Sequence, residues 1–332
     1  MTHMHSFPNN RYRAQAELLC TQVLPALATV PSFALHGGSA INLFVLDLPR
    51  YSVDADVTFI PLMSREETYR EVNRGLKTIA DKLHQKNSSL TITHSEKNLK
   101  LFIQSGMIEV KLEVNNIKRG VVCGDPIHLP TCPKIRSEFG ANYDLKIVPL
   151  SLLYGGKVAA ALERQHPRDL FDVSHMPISL EEIKDGIIYC LLSSGRPLNE
   201  LIRPHLLDQK GAMENTFVGM TEIPFSYEDY CLTRDKLFRE LPRILTEEDK
   251  ELMISFELGQ PCWDDWSHPE FASHPSIQWK QRNIQKLKAD NPQKMMHHAY
   301  LLQELLNPAH KQIIKNTPEK DLTRPRKKGF HI

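Results

Sequence analysis

The chain is predicted to be an α+β protein, with strands and helices mixed in its N-terminal half and helices alone in its C-terminal half. Short strand-like apolar runs occur only before Leu150. From Leu150 onward, apolar residues recur at helical spacing and helix-start patterns follow one another. At 332 residues the chain is long enough for two domains with sizeable cores. We therefore expect a core domain over 11–149, a helical domain over 150–315 that completes a cleft, and a basic, polar tail over 316–332.

The N-terminal half is expected to alternate helices with short strands. An amphipathic helix over 11–30 precedes a strand–turn–helix–strand unit over 33–60. Ser64 and Glu67 form a capping-box pattern, which predicts a helix from there to about Lys86. Strand-like runs then follow at residues 89–94, 99–104, 107–114 and 145–148. A Ser-Gly pair at 105–106 predicts that the second and third of these runs form a hairpin.

The C-terminal half is expected to consist of helices joined by short loops. A mostly apolar helix covers 151–162, and Pro167 stands near the first position of the next helix. Ser179 and Thr246 each precede acidic residues in a capping-box pattern and predict two further helix starts.

Composition excludes several classes of protein. The net charge is +1, so any nucleic-acid surface must be a local patch. No apolar run approaches the roughly 20 residues of a membrane span, and the N-terminus lacks a signal-peptide core. The six cysteines show neither a Cys-X-X-Cys pair nor zinc-finger spacing, which favours reduced thiols. We therefore expect a cytoplasmic protein with no membrane partner.

Two short motifs together predict a site for a nucleoside triphosphate. Asp54 and Asp56 flank one residue in a strand-like segment, so their carboxylates would share a face and need a cation such as Mg²⁺ or Mn²⁺ between them. Upstream, Gly38 and Ser39 lie in a Gly-Gly-Ser turn, which offers close backbone approach and a hydroxyl at a helix start, where phosphate is favoured. The combination indicates a nucleotidyltransferase site that binds an NTP.

A third carboxylate is expected from the strand over 107–114. Its alternation puts Glu109, Lys111 and Glu113 on the face opposite the core. One glutamate would lie beside the aspartates and either bind the metal or take a proton from an attacking hydroxyl. We favour Glu113 over Glu109, and a solvated strand face is the structural alternative.

A lysine in the helix over 151–162 is a candidate phosphate ligand. Lys157 is flanked by glycines and alanines that leave room for a triphosphate, and Arg164 lies two turns later on the same face. Asp169 and Asp172 share a face of the next helix, where Arg168 could pair with Asp172. Helix capping by itself would explain one of these aspartates.

These blocks resemble a known family. Residues 36–43 (HGGSAINL) and 48–57 (LPRYSVDADV) look like the first motif of AbiEii/AbiGii-type nucleotidyltransferase toxins. Residues 157–164 (KVAAALER) and 167–172 (PRDLFD) resemble the family's later motifs. The resemblance covers about 30–175 and implies a polymerase-β-like nucleotidyltransferase core followed by a helical domain.

The resemblance also implies a reaction and its residues. It implies transfer of a nucleoside monophosphate from an NTP, with tRNA as an acceptor in related toxins and a separately encoded antitoxin as partner. On matching positions Ser39 would contact the triphosphate, and Asp54 and Asp56 would hold Mg²⁺. Lys157 would bind phosphate, and Asp169 would be an essential acid near Lys157 and the metal.

The acceptor remains open at the level of sequence. An RNA-modifying toxin, an enzyme that modifies a protein hydroxyl or a small molecule, and a non-catalytic binding protein are the three hypotheses. We expect tRNA, since local basic residues are available for phosphate contacts. These residues are Lys97, Lys100, Lys118 and Arg119 near the strands, and Arg324, Arg326, Lys327 and Lys328 in the tail. The alternative is that these basic residues are scattered over the surface and contact only solvent.

Overall fold

The computed structural model describes residues 10–307, and the predicted basic tail lies outside this range. Within it, seven strands form one mixed sheet in the order β3-β4-β5-β2-β1-β7-β6. The strands are β1 (Phe33–His36), β2 (Asp54–Phe59), β3 (Thr91–Ser95), β4 (Lys100–Ser105), β5 (Ile108–Val114), β6 (Ile127–Pro130) and β7 (Asp144–Ile147). β2 is central, antiparallel to β1 and parallel to β5. The predicted α+β class is confirmed.

The helices predicted over 11–30, from Ser64 to about Lys86 and over 151–162 are present, and the described residues contain three π-helical stretches, one of them at Met213–Phe217. The N-terminal helix runs as α1 (Asn10–Leu18), a π-helical stretch (Leu19–Val23) and α2 (Leu24–Leu27), and α3 (Gly37–Ala40) likewise continues into a π-helical stretch (Ile41–Val45). The other helices are α4 (Arg65–Lys86), α5 (Pro133–Phe139), α6 (Leu150–Arg164), α7 (Pro167–Ser174), α8 (Lys184–Leu192), α9 (Leu198–Ile202), α10 (Lys210–Ala212), α11 (Tyr227–Ile244), α12 (Glu247–Glu257), α13 (Pro275–Asp290) and α14 (Pro292–Leu306). After β7 the described chain is helical.

Local chemistry explains where the elements begin, and also where the prediction differs from the structure. Ser64 and Ser226 cap α4 and α11 through reciprocal capping boxes. The Ser179 pattern makes the same reciprocal hydrogen bonds with Glu182, but they close only a turn, and α8 begins later, at Lys184. β6 and α5 escaped prediction, because a four-residue edge strand that ends in proline carries little alternation signal.

Close contact between α6 and α8 positions the second half of the site. A Cβ on Gly155 of α6 would lie 2.3 Å from the backbone carbon of Gly186, and one on Gly186 of α8 would lie 2.0 Å from the Ser151 carbonyl oxygen. Only glycine allows the two backbones to approach this closely. The Gly186 backbone N–H also donates to Ser151 Oγ at 3.2 Å. α6 is therefore packed directly against α8, and its Lys157 and Arg164 line the same cleft as Asp54 and Asp56.

None of the helices between residues 10 and 307 is both long enough and apolar enough to span a membrane.

Candidate active site

Three acidic side chains lie on one face at the centre of the sheet. The register pairs Asp56 with Glu113 of β5 and with His36 of β1, and it pairs Asp54 with Lys111. Side chains of paired residues point to the same face of a sheet, and alternate residues along a strand do so too. The predicted common orientation of Asp54, Asp56 and Glu113 is therefore present in the fold.

The Asp54 and Asp56 carboxylates have no partner. Within the described range, neither forms a hydrogen bond through its carboxylate or an ion pair. Asp56 is exposed toward a cleft, yet the surrounding protein atoms desolvate its carboxylate. This desolvation, together with repulsion from Asp54, raises the pKa of Asp56. The pair is thus a concentration of negative charge that no ion pair within the described residues neutralises, although Lys157 and Lys111 attract Asp56 from a greater distance.

Glycines let the chain pass tightly around this pair. Gly37 has a φ of +68°, and a Cβ there would lie 2.6 Å from Asp56 Oδ2. A Cβ on Gly38 would lie 2.7 Å from Arg50 Nη2. The glycine pair therefore serves close packing against two side chains of the site, and Gly38 itself lines the cleft.

Ser39 is buried and turned away from the cleft. Its hydroxyl donates to the Asp54 backbone carbonyl and lies 3.0 Å from Ser52 Oγ. The side chain thus ties the start of α3 to the strand that carries the aspartates. The contact between Ser39 and a triphosphate stays a prediction. In this conformation only the Ser39 backbone could make such a contact, because the hydroxyl is already hydrogen-bonded.

Glu113 is the nearer of the two candidate glutamates. Glu109 is exposed and pairs with Gln104 further along the sheet, whereas Glu113 lines the cleft. Lys100 and Lys111 contact the Glu113 carboxylate at 3.0 and 2.9 Å. Partial burial by itself would raise the pKa of Glu113, but the two lysines lower it overall. Glu113 is therefore ionised and already paired.

A buried ion network links α6 and α7 across the cleft from the strands. Lys157 Nζ lies 3.0 Å from Asp169 Oδ1 and 2.9 Å from Asp172 Oδ2. Arg164 forms two hydrogen bonds with Asp169, at 2.6 and 2.9 Å. Burial alone would raise the pKa of both aspartates, but the adjacent cations hold it below the usual range. The predicted proximity of Lys157, Arg164 and Asp169 is present in the structure.

Arg50 is a member of this network that the sequence prediction missed. Its guanidinium is buried and donates to both Asp172 carboxylate oxygens, at 2.7 and 2.6 Å. The predicted Arg168–Asp172 pair is wrong, because Arg50 and Lys157 already occupy that carboxylate. Arg50 stands only four residues before Asp54, but its partner is 122 residues away, so no local pattern reveals the bond.

The three acids and the network residues other than Asp172 line one cleft of about 440 Å³. Two further cations reach it, Arg168 and Lys118. Among residues 10–307, neither of their charged groups has a carboxylate partner or a hydrogen bond. Burial and the nearby Arg50 lower the pKa of Arg168, and the attraction of Asp169 offsets this only in part. Lys97, also predicted to offer basic charge, does not line the cleft, and Lys100 is held by Glu113.

His36 also lines the cleft and is uncharged. Burial lowers its pKa to about 3, helped by repulsion from Lys118 and Lys157. Its Nδ1 lies 3.1 Å from Thr58 Oγ1, and a Cβ on Gly156 would lie 2.9 Å from its Nε2. His36 therefore packs β1 against α6 and adds no charge at neutral pH.

The donor set fits a hard divalent cation at Asp54 and Asp56. Both are oxygen ligands, they lack any internal cation, and Mg²⁺ in nucleotide sites is commonly held by one or two carboxylates plus substrate phosphates. No three metal-ligating side chains are gathered closely enough within the described residues to hold an ion by themselves. A cation here would therefore be completed by oxygens of a bound nucleotide or of water.

An acidic pair facing a set of cations in one cleft beside a mixed sheet is the arrangement of a nucleotide-handling enzyme. The family model described as "Nucleotidyl transferase AbiEii toxin, Type IV TA system" matches residues 18–273. The chain therefore belongs to the AbiEii family of nucleotidyltransferase toxins. It is a toxin of the type IV toxin–antitoxin class, which implies an antitoxin partner and an NTP substrate.

Structural comparison agrees with the family. The fold is similar to that of MenT4, a nucleotidyltransferase toxin from Mycobacterium tuberculosis H37Rv, with a TM-score of 0.53 and 14% sequence identity. The match covers 84% of this chain and 91% of MenT4. At this identity the likeness shows the fold alone. No curated protein sequence matches the chain.

Proposed function

We propose that this toxin transfers a nucleoside monophosphate from an NTP to an RNA acceptor, tRNA, with release of pyrophosphate, in a reaction that requires Mg²⁺ or Mn²⁺. The observation that carries the proposal is the charge asymmetry of the cleft. Among residues 10–307, Asp54 and Asp56 form no ion pair with a cation, Arg168 and Lys118 form none with a carboxylate, and all four line the same cavity. A metal–triphosphate complex has the complementary charges, since its metal meets the acids and its phosphates meet the cations.

The metal would be held by Asp54 and Asp56, with Glu113 as the candidate third ligand. A bound divalent cation supplies charge neutralisation at the phosphates and orientation of the reacting groups. Its lowered pKa makes Glu113 a poor general base, which favours a role as ligand over proton removal. To bind a metal, Glu113 would have to give up its ion pairs with Lys100 and Lys111. The two lysines would then contact phosphate oxygens of the nucleotide.

Several cations would bind the phosphates, and they differ in how far they are already paired with carboxylates of the protein. Lys157 has three donors, and two are directed at Asp169 and Asp172, so one remains for the cleft. Arg168 and Lys118 form no ion pair in the described part of the chain, so their charged groups can contact phosphates directly. Arg164 is 57% exposed and keeps a solvent-facing side even while it is paired with Asp169. We assign Asp169 to holding Lys157 and Arg164 in position and not to proton transfer, because its lowered pKa disfavours protonation.

The acceptor is proposed from size and charge. A cleft of about 440 Å³ lies at the lower end of the range for small-molecule sites, so it can hold a nucleotide but not a folded macromolecule. An RNA acceptor would insert only its reacting end, and the rest of the molecule would lie outside. Because NTPs and tRNA are found in the cytoplasm, we place the reaction there.

Label transfer tests the proposal directly. Each α-³²P-labelled NTP is incubated with the full chain, Mg²⁺, Mn²⁺ or EDTA, and either purified tRNA, total RNA without tRNA, or no RNA. We expect label in tRNA with one or more NTPs, none in EDTA, and none with Asp54→Asn or Asp56→Asn. Label found in the protein itself or in a small-molecule fraction, with none in any RNA, would instead favour the alternative acceptors.

A further inference from the structure

Three chain segments meet at the edge of the cleft beside Gly120. Gly120 has a φ of +82°, and a Cβ there would lie 2.5 Å from Leu62 Cδ2 and 3.2 Å from His274 Cε1. Leu62 precedes α4, and His274 caps α13. Gly120 itself lines the cleft, as does Lys118. The loop over 115–120 is therefore clamped between the starts of two helices at the cleft entrance.

Each of these segments contributes one arginine that lacks a carboxylate partner. Arg65 opens α4, Arg119 precedes Gly120, and Arg282 lies two turns into α13. Within residues 10–307 none of the three forms a salt bridge. We refer to Arg65, Arg119 and Arg282 as the arginine rim.

The contacts of the arginine rim leave its charge uncompensated. Arg119 donates to the backbone carbonyls of Asn116 and Met63 at the long distances of 3.3 and 3.5 Å. Arg65 lies over the Tyr69 ring at 5.5 Å, and Arg282 donates to the Gln278 carbonyl at 3.2 Å. All of these partners are neutral. Burial and mutual repulsion with Arg65 and Arg282 lower the pKa of Arg119, which agrees with three cations gathered without an anion.

We propose that the arginine rim binds the phosphate backbone of the RNA acceptor and guides its reacting end into the cleft. The proposal rests on the proposed function and adds the surface by which the acceptor is held. The rim continues directly into Lys118 inside the cleft, so a chain of phosphates could be contacted from outside inward. Three guanidinium groups on separate segments, exposed at Arg65 and Arg282 and half-buried at Arg119, suit a polyanion with regularly spaced charges.

A charge-neutralising double variant tests the rim without disturbing the core. Arg65 and Arg282 are both exposed, so Arg65→Gln/Arg282→Gln is expected to fold. Arg70→Gln/Arg74→Gln is the matched control, because these residues are also exposed, lie on α4, and are paired with Glu71. Both pairs are placed in the Asp56→Asn protein, and fluorescently labelled tRNA is titrated at several salt concentrations.

The rim variant is expected to bind tRNA about tenfold more weakly than the control at moderate salt. The slope of log Kd against log salt should fall by about 2, as expected for the loss of two phosphate contacts. In the otherwise wild-type protein, the KM for tRNA should rise while the KM for NTP stays constant. Rim and control variants that bind tRNA equally would overturn the inference.

The outcomes separate this inference from the proposed function. tRNA labelling by wild type, with no effect of the rim variant on tRNA binding or KM, would reject the rim and leave the function intact. Rim-dependent tRNA binding without any label transfer would support the surface and reject the reaction. If the rim variant bound tRNA normally but lost binding to the acidic face of a protein partner such as an antitoxin, the RNA assignment would be overturned.

Discussion

Two pairs of aspartates belong to the same site, and their electrostatic surroundings differ. Asp54 and Asp56, on a strand, have no ion pair or carboxylate hydrogen bond among the described residues. Asp169 and Asp172, on a helix, are contacted by three cations, Lys157, Arg164 and Arg50. The pKa of Asp56 is raised, whereas the pKa values of Asp169 and Asp172 are lowered.

This difference indicates that the two aspartate pairs have different roles. Carboxylates that are satisfied inside the protein stabilise the fold and position their partners, and they have little capacity for a ligand. Two carboxylates that repel each other and have no paired cation destabilise the folded protein. Binding of a cation removes this repulsion and is therefore favourable. The helix pair therefore builds the cleft, and the strand pair is left for the metal.

The largest expected effect is on catalysis at the strand pair. Asp56→Asn should lower label transfer at least hundredfold, because phosphoryl transfer depends on charge neutralisation at the phosphates. Its free energy of unfolding in EDTA should be equal to or higher than that of wild type, since a repulsive charge is removed. Activity assays and urea denaturation measure the two quantities.

The effect of Mg²⁺ on thermal stability is a second test of the strand pair, Asp54 and Asp56. With NTP present, it should raise the melting temperature of wild type but not of Asp56→Asn, because ligand binding stabilises only the protein that binds. Wild-type activity in folded Asp56→Asn would refute the assignment of the strand pair.

The next largest effect is on stability at the helix pair. Asp172→Asn should lower the free energy of unfolding by about 3–5 kcal/mol, because Arg50 and Lys157 would be left as buried cations with too few partners. Asp54→Asn is the matched control, with the same chemical change at an unpaired carboxylate, and it should cost less than about 1 kcal/mol. The free energies of unfolding are measured by urea denaturation in EDTA. Similar decreases in the two variants would contradict the proposed difference between the pairs.

The two pairs should also respond oppositely to pH. Asp169 and Asp172 have lowered pKa values in the folded state, so they stabilise it above the unfolded pKa of 3.8 and lose this contribution as pH falls. Asp56 has a raised pKa, so its unfavourable contribution is present at neutral pH and disappears below 3.8.

Denaturation in EDTA between pH 7 and pH 3 checks these signs. The destabilisation by Asp172→Asn should shrink as pH falls. Any stabilisation by Asp56→Asn should be lost over the same range. A destabilisation by Asp172→Asn that stayed constant down to pH 3 would contradict the role of its charge.

The smallest effect is expected at Ser39, whose hydroxyl ties α3 to the strand pair. Ser39→Ala should cost about 1 kcal/mol of stability, as for one lost intramolecular hydrogen bond. If the hydroxyl acts only in positioning, kcat should fall while the KM for NTP stays constant. A raised KM with unchanged kcat would instead show that the hydroxyl reaches the triphosphate.

Much of the site could be predicted because its elements are regular. Period-two alternation is a local property, so Asp54 and Asp56 could be placed on one face before any fold was known. Lys157, Arg164 and Asp169 lie within thirteen residues and two consecutive helices, so their proximity was also within reach of sequence reasoning. The AbiEii motifs joined these two groups, and the family match confirmed the resemblance.

The sequence by itself determined most of the secondary structure and the identity of the chemical groups, since propensity, capping and alternation act over a few residues. Only the tertiary structure decided which charges remain free. Arg50 reaches Asp172 across 122 residues, and between residues 10 and 307 Arg168 forms no ion pair with a carboxylate and Asp54 and Asp56 form none with a cation. Ion pairing depends on distances of a few ångströms between segments remote in sequence, and those distances are set by the packing of the whole fold.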